Sequence, residues 1–209
     1  MVTHVISPDY GWLESKNGTK TAQWVIKPGK NRDGYFTNDN VLEQFQEMVE
    51  IVKADYPNDD HVFFYDNAAT HLKHAPNSLS AHHMPQNTPK PGKNWLVNIP
   101  ELGNDGKPLK STTGKIKEIR VKMSNAIFNG QPQSLYFPDG HPHAGVFKGM
   151  AVILEEQGYD VKDLRAECKK FCCPGGEIWD CCCRQLLYTE PDFIGVKSLL
   201  EELAESLGV

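Results

Sequence analysis

The sequence predicts an α/β domain: a mixed sheet flanked by helices, with a β- and cysteine-rich insertion. Three observations predict it. Residues 1–27 read as an antiparallel hairpin. Residues 37–55 carry an apolar stripe at helical spacing. The stretch "HVFFYDNAATH", residues 61–71, begins as a short run apolar on both faces, which suits an interior strand covered by helices.

In the hairpin, "MVTHVIS" and "AQWVIK" are the strands, and "ESKNGTKTA" carries the Asn17-Gly18 turn signal. The Gly- and Pro-bearing "KPGKNRDGYF" is a loop. Thr37 or Asn38 caps the helix that follows, Asp39 suits its first turn, and Val41, Phe45, Met48, Val49 and Val52 form its apolar face. "DYPNDD" ends it, and the 61–65 strand comes next. Residues 74–190 read as an insertion between core segments 1–73 and 191–209. Within it, "NWLVNIPEL", the turn "GNDG" and "KIKEIRVKM" suggest a small β excursion, and "HAGVFKGMAVILEEQG" a helix. The final "PDFIGVKSLLEELAESLGV" places Phe193, Val196, Leu200, Leu203 and Leu207 on one helical face, with Asp192 as cap.

Composition narrows the function classes. The 209 residues are 39% hydrophobic and 23% charged, as in a soluble globular chain. No apolar run approaches the roughly 20 residues that span a bilayer, so no membrane partner is expected. The N-terminus lacks a secretory pattern, which predicts an intracellular, reducing setting and thiols in place of disulfides. A net charge of −5 argues against a dedicated nucleic-acid binder. Yet Lys90–Lys122 holds eight basic and three acidic residues, whereas Val152–Val209 holds twelve acids and six bases. Lys107, Lys110, Lys115, Lys117, Arg120 and Lys122 are therefore candidate phosphate contacts, or else a solvated lysine-rich hairpin.

Asp66 stands at the carboxyl end of the predicted 61–65 strand, where α/β folds gather their ligands. Its hard oxygens suit Mg²⁺ or Mn²⁺. Asn67 could orient it, and His71 lies about one helical turn further on. The plainer alternative is an Asp-Asn turn with a surface histidine.

"YDNAATH" resembles the second-carboxylate motif of DDE/D transposases of the mariner-like superfamily. The blocks "DYGWL", "KNRDGYFTNDN", "HVFFYDNAATHLKHA", "LYFPDGHPHAGVFKGMAVILEEQGY" and "PDFIGVKSLLEE" resemble, in order, a group of transposase-derived proteins of mushroom-forming fungi. The resemblance implies an incomplete ribonuclease-H-like fold, with Asp66 as the second of three carboxylates that hold Mg²⁺ or Mn²⁺, and Asn67 and His71 in support. It implies DNA strand cleavage and transfer, a nuclear setting, DNA as partner, and homo-oligomerisation.

The sequence departs from that pattern at two places. The family's first carboxylate sits on a strand that would lie upstream of Met1, and the third in a block beyond Val209. Asp9, Glu201 and Glu202 are weak substitutes. With one carboxylate of three, the expectation is a partial transposase core that is inactive alone. Alternatives are a non-catalytic DNA-binding or interaction module derived from a transposase, and an unrelated metal-dependent phosphohydrolase using Asp66 and His71.

All six cysteines, Cys168, Cys172, Cys173, Cys181, Cys182 and Cys183, fall within "AECKKFCCPGGEIWDCCCRQ". Cys168 or Cys172 with Cys173, and two of Cys181–Cys183, could supply four thiolates to a structural Zn²⁺, with His141 and His143 as alternates. Adjacent cysteines do not easily point at one ion, and the spacing departs from paired C-x₂-C. Free thiols are the competing reading, and disulfides a lesser one.

Overall fold

Eight short strands and five α-helices occur among the described residues (1–104, 108–169, 173 and 181–209) of the computed structural model. The predicted mixture of α and β is present, but the predicted mixed sheet is not: among the described residues the strands form four separate two-stranded antiparallel pairs, too short to join into one layer. The chain divides into two units: Met1–Ala75 with Lys197–Val209, and Pro76–Val196. None of the described helices is long and apolar enough to cross a membrane.

Unit 1 begins with the predicted hairpin, in shortened form. β1 (Val2–Thr3) pairs with β4 (Trp24–Val25), with Val2 opposite Val25. Between them β2 (Ile6–Ser7) folds onto β3 (Gly11–Trp12). The Asn17-Gly18 turn closes as its sequence predicts, with the Gly18 N–H donating to Ser15 O at 2.8 Å. α1 (Asn38–Asp55) starts after Thr37, whose N–H donates to Asn40 Oδ1 at 2.9 Å. It stops at Tyr56, because the residue before a proline is driven out of the helical region. Its inner face buries Val41, Phe45, Met48, Val49, Ile51 and Val52. α5 (Leu199–Leu207) completes this core with Leu200, Leu203 and Leu207. Ser198 caps α5: its Oγ accepts from the Glu201 N–H, and its own N–H donates to Glu201 Oε2 at 2.7 Å. The Ser198 backbone and side-chain hydrogen bonds hold the Glu201 carboxyl below its ordinary range.

The predicted interior strand at 61–65 is not one. The segment joins no sheet, and Val62 and Phe64 are 73% and 92% exposed. Only its other face is anchored: Phe63 and Tyr65 set their rings 5.1 and 6.1 Å from Phe45. An apolar run on both faces is buried only if strands flank it, and no described strand does.

Unit 2 carries the predicted β excursion. β5 (Val97–Pro100) pairs with β6 (Glu118–Val121), Asn98 lying opposite Arg120. Bridges between Leu102 and Pro108 and between Lys110 and Ile116 extend this ribbon. Residues 105–107 of the "GNDG" turn region lie outside the described residues. β7 (Ala126–Phe128) and β8 (Gln131–Gln133) form a second hairpin. Leu135, Phe147, Met150, Ile153, Leu154 and Leu187 are fully buried in the core of this unit.

Two predicted helices change shape. "HAGVFKGMAVILEEQG" is helical only in α2 (Met150–Glu156). Gly149 breaks it with a φ of +94°, and a Cβ there would meet backbone atoms of Gln86, Asn87 and Thr88 at 2.6–2.8 Å. That strap feeds the helix start: Met150 and Ala151 N–H donate to Pro85 O and Gln86 O, each at 3.0 Å. Gly149→Ala combines a backbone clash with a left-handed φ, and its expected cost is roughly 2–4 kcal/mol in equilibrium denaturation. The C-terminal helix splits into α4 (Pro191–Ile194) and α5, with Phe193 in the core of unit 2 and Leu200 in that of unit 1. The turn at Gly195 and the Ser198 cap separate them.

Candidate metal centre

α3 (Cys183–Thr189) organises the cysteine-rich region of unit 2. Cys182, extended at φ −164° and ψ 156°, caps it, and Cys181 precedes it in a bend. The segment leading to Cys168 docks on this head. Arg165 bridges to Cys182 in parallel fashion, and the Cys183 and Arg184 N–H groups donate to Arg165 O and Ala166 O at 3.0 and 3.1 Å. The outcome is a cluster in which the sulfurs of Cys168, Cys173, Cys181 and Cys182 all lie within 4.8 Å of one another. Cys168 and Cys182 are buried, and Cys173 and Cys181 are half-buried. Four soft donors in a tetrahedral-sized nest can hold a metal ion such as zinc.

The sequence argument against adjacent ligands is overturned here. The bend at Cys181 and the extended cap at Cys182 turn both sulfurs to one side, 4.0 Å apart. Cys183 does not join them. It faces the core, where Gln86 Nε2 approaches its sulfur at 3.7 Å. Cys172 lies outside the described residues. His141 and His143 belong elsewhere, in ring contacts with Phe137 and with each other. Burial pushes the Cys181 thiol up to about 11 and also raises Cys183. Burial raises Cys182 too, but hydrogen bonds involving the Gln185 and Cys168 backbone and the neighbouring thiols outweigh it and bring that thiol below its ordinary value.

A residue that the sequence reading missed supports this head. Arg184 is buried, with its guanidinium donating to the carbonyls of Ala81, His82 and Met84 while Nε pairs with Glu167 at 2.9 Å. The available signal was a single charged residue, an arginine, inside the run "CCCRQLL".

In unit 1, Asp66 is a turn residue with an open carboxylate. Its Oδ1 accepts from the Ala68 N–H at 3.2 Å and lies 2.7 Å from His71 Nδ1, and its side chain is 79% exposed. The sequence expectation that His71 shares a side with Asp66 is met, since the imidazole, 19% exposed, braces the carboxylate. Tyr65 stacks edge-on against His71 and donates its hydroxyl to Met48 Sδ at 3.6 Å; burial pushes that phenol up to about 12. Asp66 and His71 help line a cleft of about 710 Å³, walled by residues 2–10 and 60–66 and floored by Val41, Gln44, Met48 and Val52 of α1. Asp9 lies on the same cleft. Asn67 lines a second hollow of about 380 Å³ with Leu200 and Glu201. Glu201 is committed to the Ser198 cap. Among the described residues, no third His, Cys, Asp or Glu joins Asp66 and His71 in a metal-sized cluster. One carboxylate with one imidazole is a poor set for a Mg²⁺-type ion.

The basic residues of the insertion lie on the β5–β6 ribbon. Lys110, Lys115, Lys117, Arg120 and Lys122 are exposed, and among the described residues none has an acidic partner within ion-pair distance. Arg120 donates to Asn94 O at 2.8 Å, and Lys122 Nζ stands 5.2 Å above the Tyr136 ring. Lys107 lies outside the described residues.

Compared with models of protein families, with curated proteins and with solved structures, the chain matches none of them.

Proposed function

We propose that this chain is a zinc-stabilised, partial DDE-type transposase core, ribonuclease-H-like in ancestry. In it, Asp66 is the surviving one of three carboxylates that held Mg²⁺ or Mn²⁺ for DNA strand cleavage and transfer in the ancestral enzyme, and the chain is inactive alone. The observation that carries the reading is Asp66 itself: an exposed carboxylate at the end of an apolar extended segment, braced by His71 and facing a cleft. The ordered blocks of resemblance to fungal transposase-derived proteins support it from the sequence side. The ion suited to the four thiols is zinc, in a structural role, because four protein ligands leave no open position for a substrate.

A two-metal mechanism needs more carboxylates than Asp66. The 209 residues are therefore expected to bind Mn²⁺ weakly and to leave supercoiled DNA uncut. Mn²⁺ titration followed by NMR tests the reading. Paramagnetic broadening should reach Ala68 and His71 first and disappear in Asp66→Asn. If broadening is absent there, or unchanged by the substitution, Asp66 is a turn residue and the nuclease reading fails.

The basic ribbon, whose basic side chains make no ion pair among the described residues, favours a second reading, a non-catalytic DNA-binding module derived from the same ancestor. Under it, gel-shift affinity for duplex DNA survives Asp66→Ala and falls with salt.

A further inference from the structure

We infer that Cys168, Cys173, Cys181 and Cys182 bind a single tetrahedral zinc ion that locks residues 165–168 onto the head of α3, with Cys183 outside the ligand set. This assigns residues to the structural-zinc part of the reading above. It does not depend on Asp66.

The geometry sets the ligand choice. Zinc–thiolate bonds of about 2.3 Å put the sulfurs of a tetrahedral site about 3.8 Å apart. The four sulfurs already lie within 4.8 Å of one another, and the Cys181–Cys182 pair is at 4.0 Å, so closure onto an ion needs only small side-chain shifts. Two of the hydrogen bonds they make are long, and an ion can replace them: Cys168 to Cys181 O at 4.0 Å and Cys173 to Gln185 Oε1 at 3.6 Å. Cys183 sits in the core against Gln86, and a ligand role would require α3 to rotate out of the hydrophobic cluster that it helps fill. An all-sulfur tetrahedral site selects zinc or iron over the oxygen-seeking Mg²⁺ and Ca²⁺.

The site also has a mechanical place. Cys168 and Cys173 come from one stretch of chain, and Cys181 and Cys182 from the other. Backbone contacts at Arg165 and Ala166 and the Glu167–Arg184 ion pair also hold the first stretch to α3. The ion cross-links the two stretches, which is how small metal sites contribute to folding.

The test uses the full chain purified without chelator from zinc-supplemented cells. Elemental analysis should find one equivalent of zinc. Cobalt exchanged for it should give the visible bands of tetrahedral thiolate coordination. Cys181→Ser and Cys182→Ser should each lose the tightly held metal, while Cys183→Ala keeps it. Where a serine variant does not fold, reduced metal-free wild-type protein titrated with zinc against a chromophoric chelator gives the same answer, with a stoichiometry of one. Three results would overturn the inference: iron with iron–sulfur absorption in place of zinc, disulfides in the freshly isolated protein, or zinc lost from Cys183→Ala but retained by Cys182→Ser. Loss of the Mn²⁺ effect at Asp66 would leave this result untouched, so the two readings fail separately.

Discussion

Arg184→Ala is expected to destabilise unit 2 by about 3–5 kcal/mol, among the largest effects of any single change in the chain. The guanidinium is buried and reaches three carbonyls, at Ala81, His82 and Met84, besides the Glu167 carboxylate. Truncation removes the donor to these carbonyls, Ala81 O keeping only the Met84 N–H at 3.3 Å, and a buried acceptor left unmet costs about 1–3 kcal/mol. Arg184→Lys should recover little, because a single ammonium cannot reproduce a planar fork that reaches four groups. Thermal unfolding with hydrogen exchange at residues 81–84 measures the effect, and roughly 10 °C of lost melting temperature is the expected scale. A drop of only a degree or two would mean that the 81–84 strap is held by the core alone. Arg184 follows Cys182 by two residues, so the substitution should also weaken zinc retention.

Phe45→Ala is expected to cost about 3–5 kcal/mol in unit 1. Phe45 is 1% exposed and carries the rings of Phe63 and Tyr65. Among the described residues, Val62, Phe63 and Phe64 make no backbone hydrogen bond, so these ring contacts anchor the segment that presents Asp66. Its loss should therefore also erase the localised Mn²⁺ broadening at Ala68 and His71, even at temperatures where unit 1 remains folded. Phe64→Ala is the control. That ring is 92% exposed, and the expected change is within about 0.5 kcal/mol in either direction. Similar costs at the two positions would show that the 61–66 segment is covered in solution.

Gly149 and Cys182 show where sequence reading stops. Helical spacing in "HAGVFKGMAVILEEQG" is a local property, and it identified the α2 residues. The close strap at 86–88 that forbids helix before Met150 is 61 residues away in sequence and leaves no local trace. For the cysteines, composition and spacing identified a candidate metal region. Which four sulfurs converge depends on a bend at Cys181 and on the docking of Arg165 beside Cys182, both products of tertiary packing.

What the sequence by itself determined were the features governed by near neighbours. These are the Asn17-Gly18 turn, the apolar face of α1 and its start at Thr37 or Asn38, the lysine-rich β5–β6 ribbon, and the place of Asp66 beside His71. Turn chemistry, helical periodicity and capping act over a few residues, so local composition suffices to specify them. Tertiary structure alone decided three others: the exposure of the 61–65 segment, the division of the C-terminal stretch between two cores, and the choice of Cys182 over Cys183 as a cluster member. Each depends on which distant surface arrives to bury a side chain, and burial is a property of the assembled fold that no local pattern encodes.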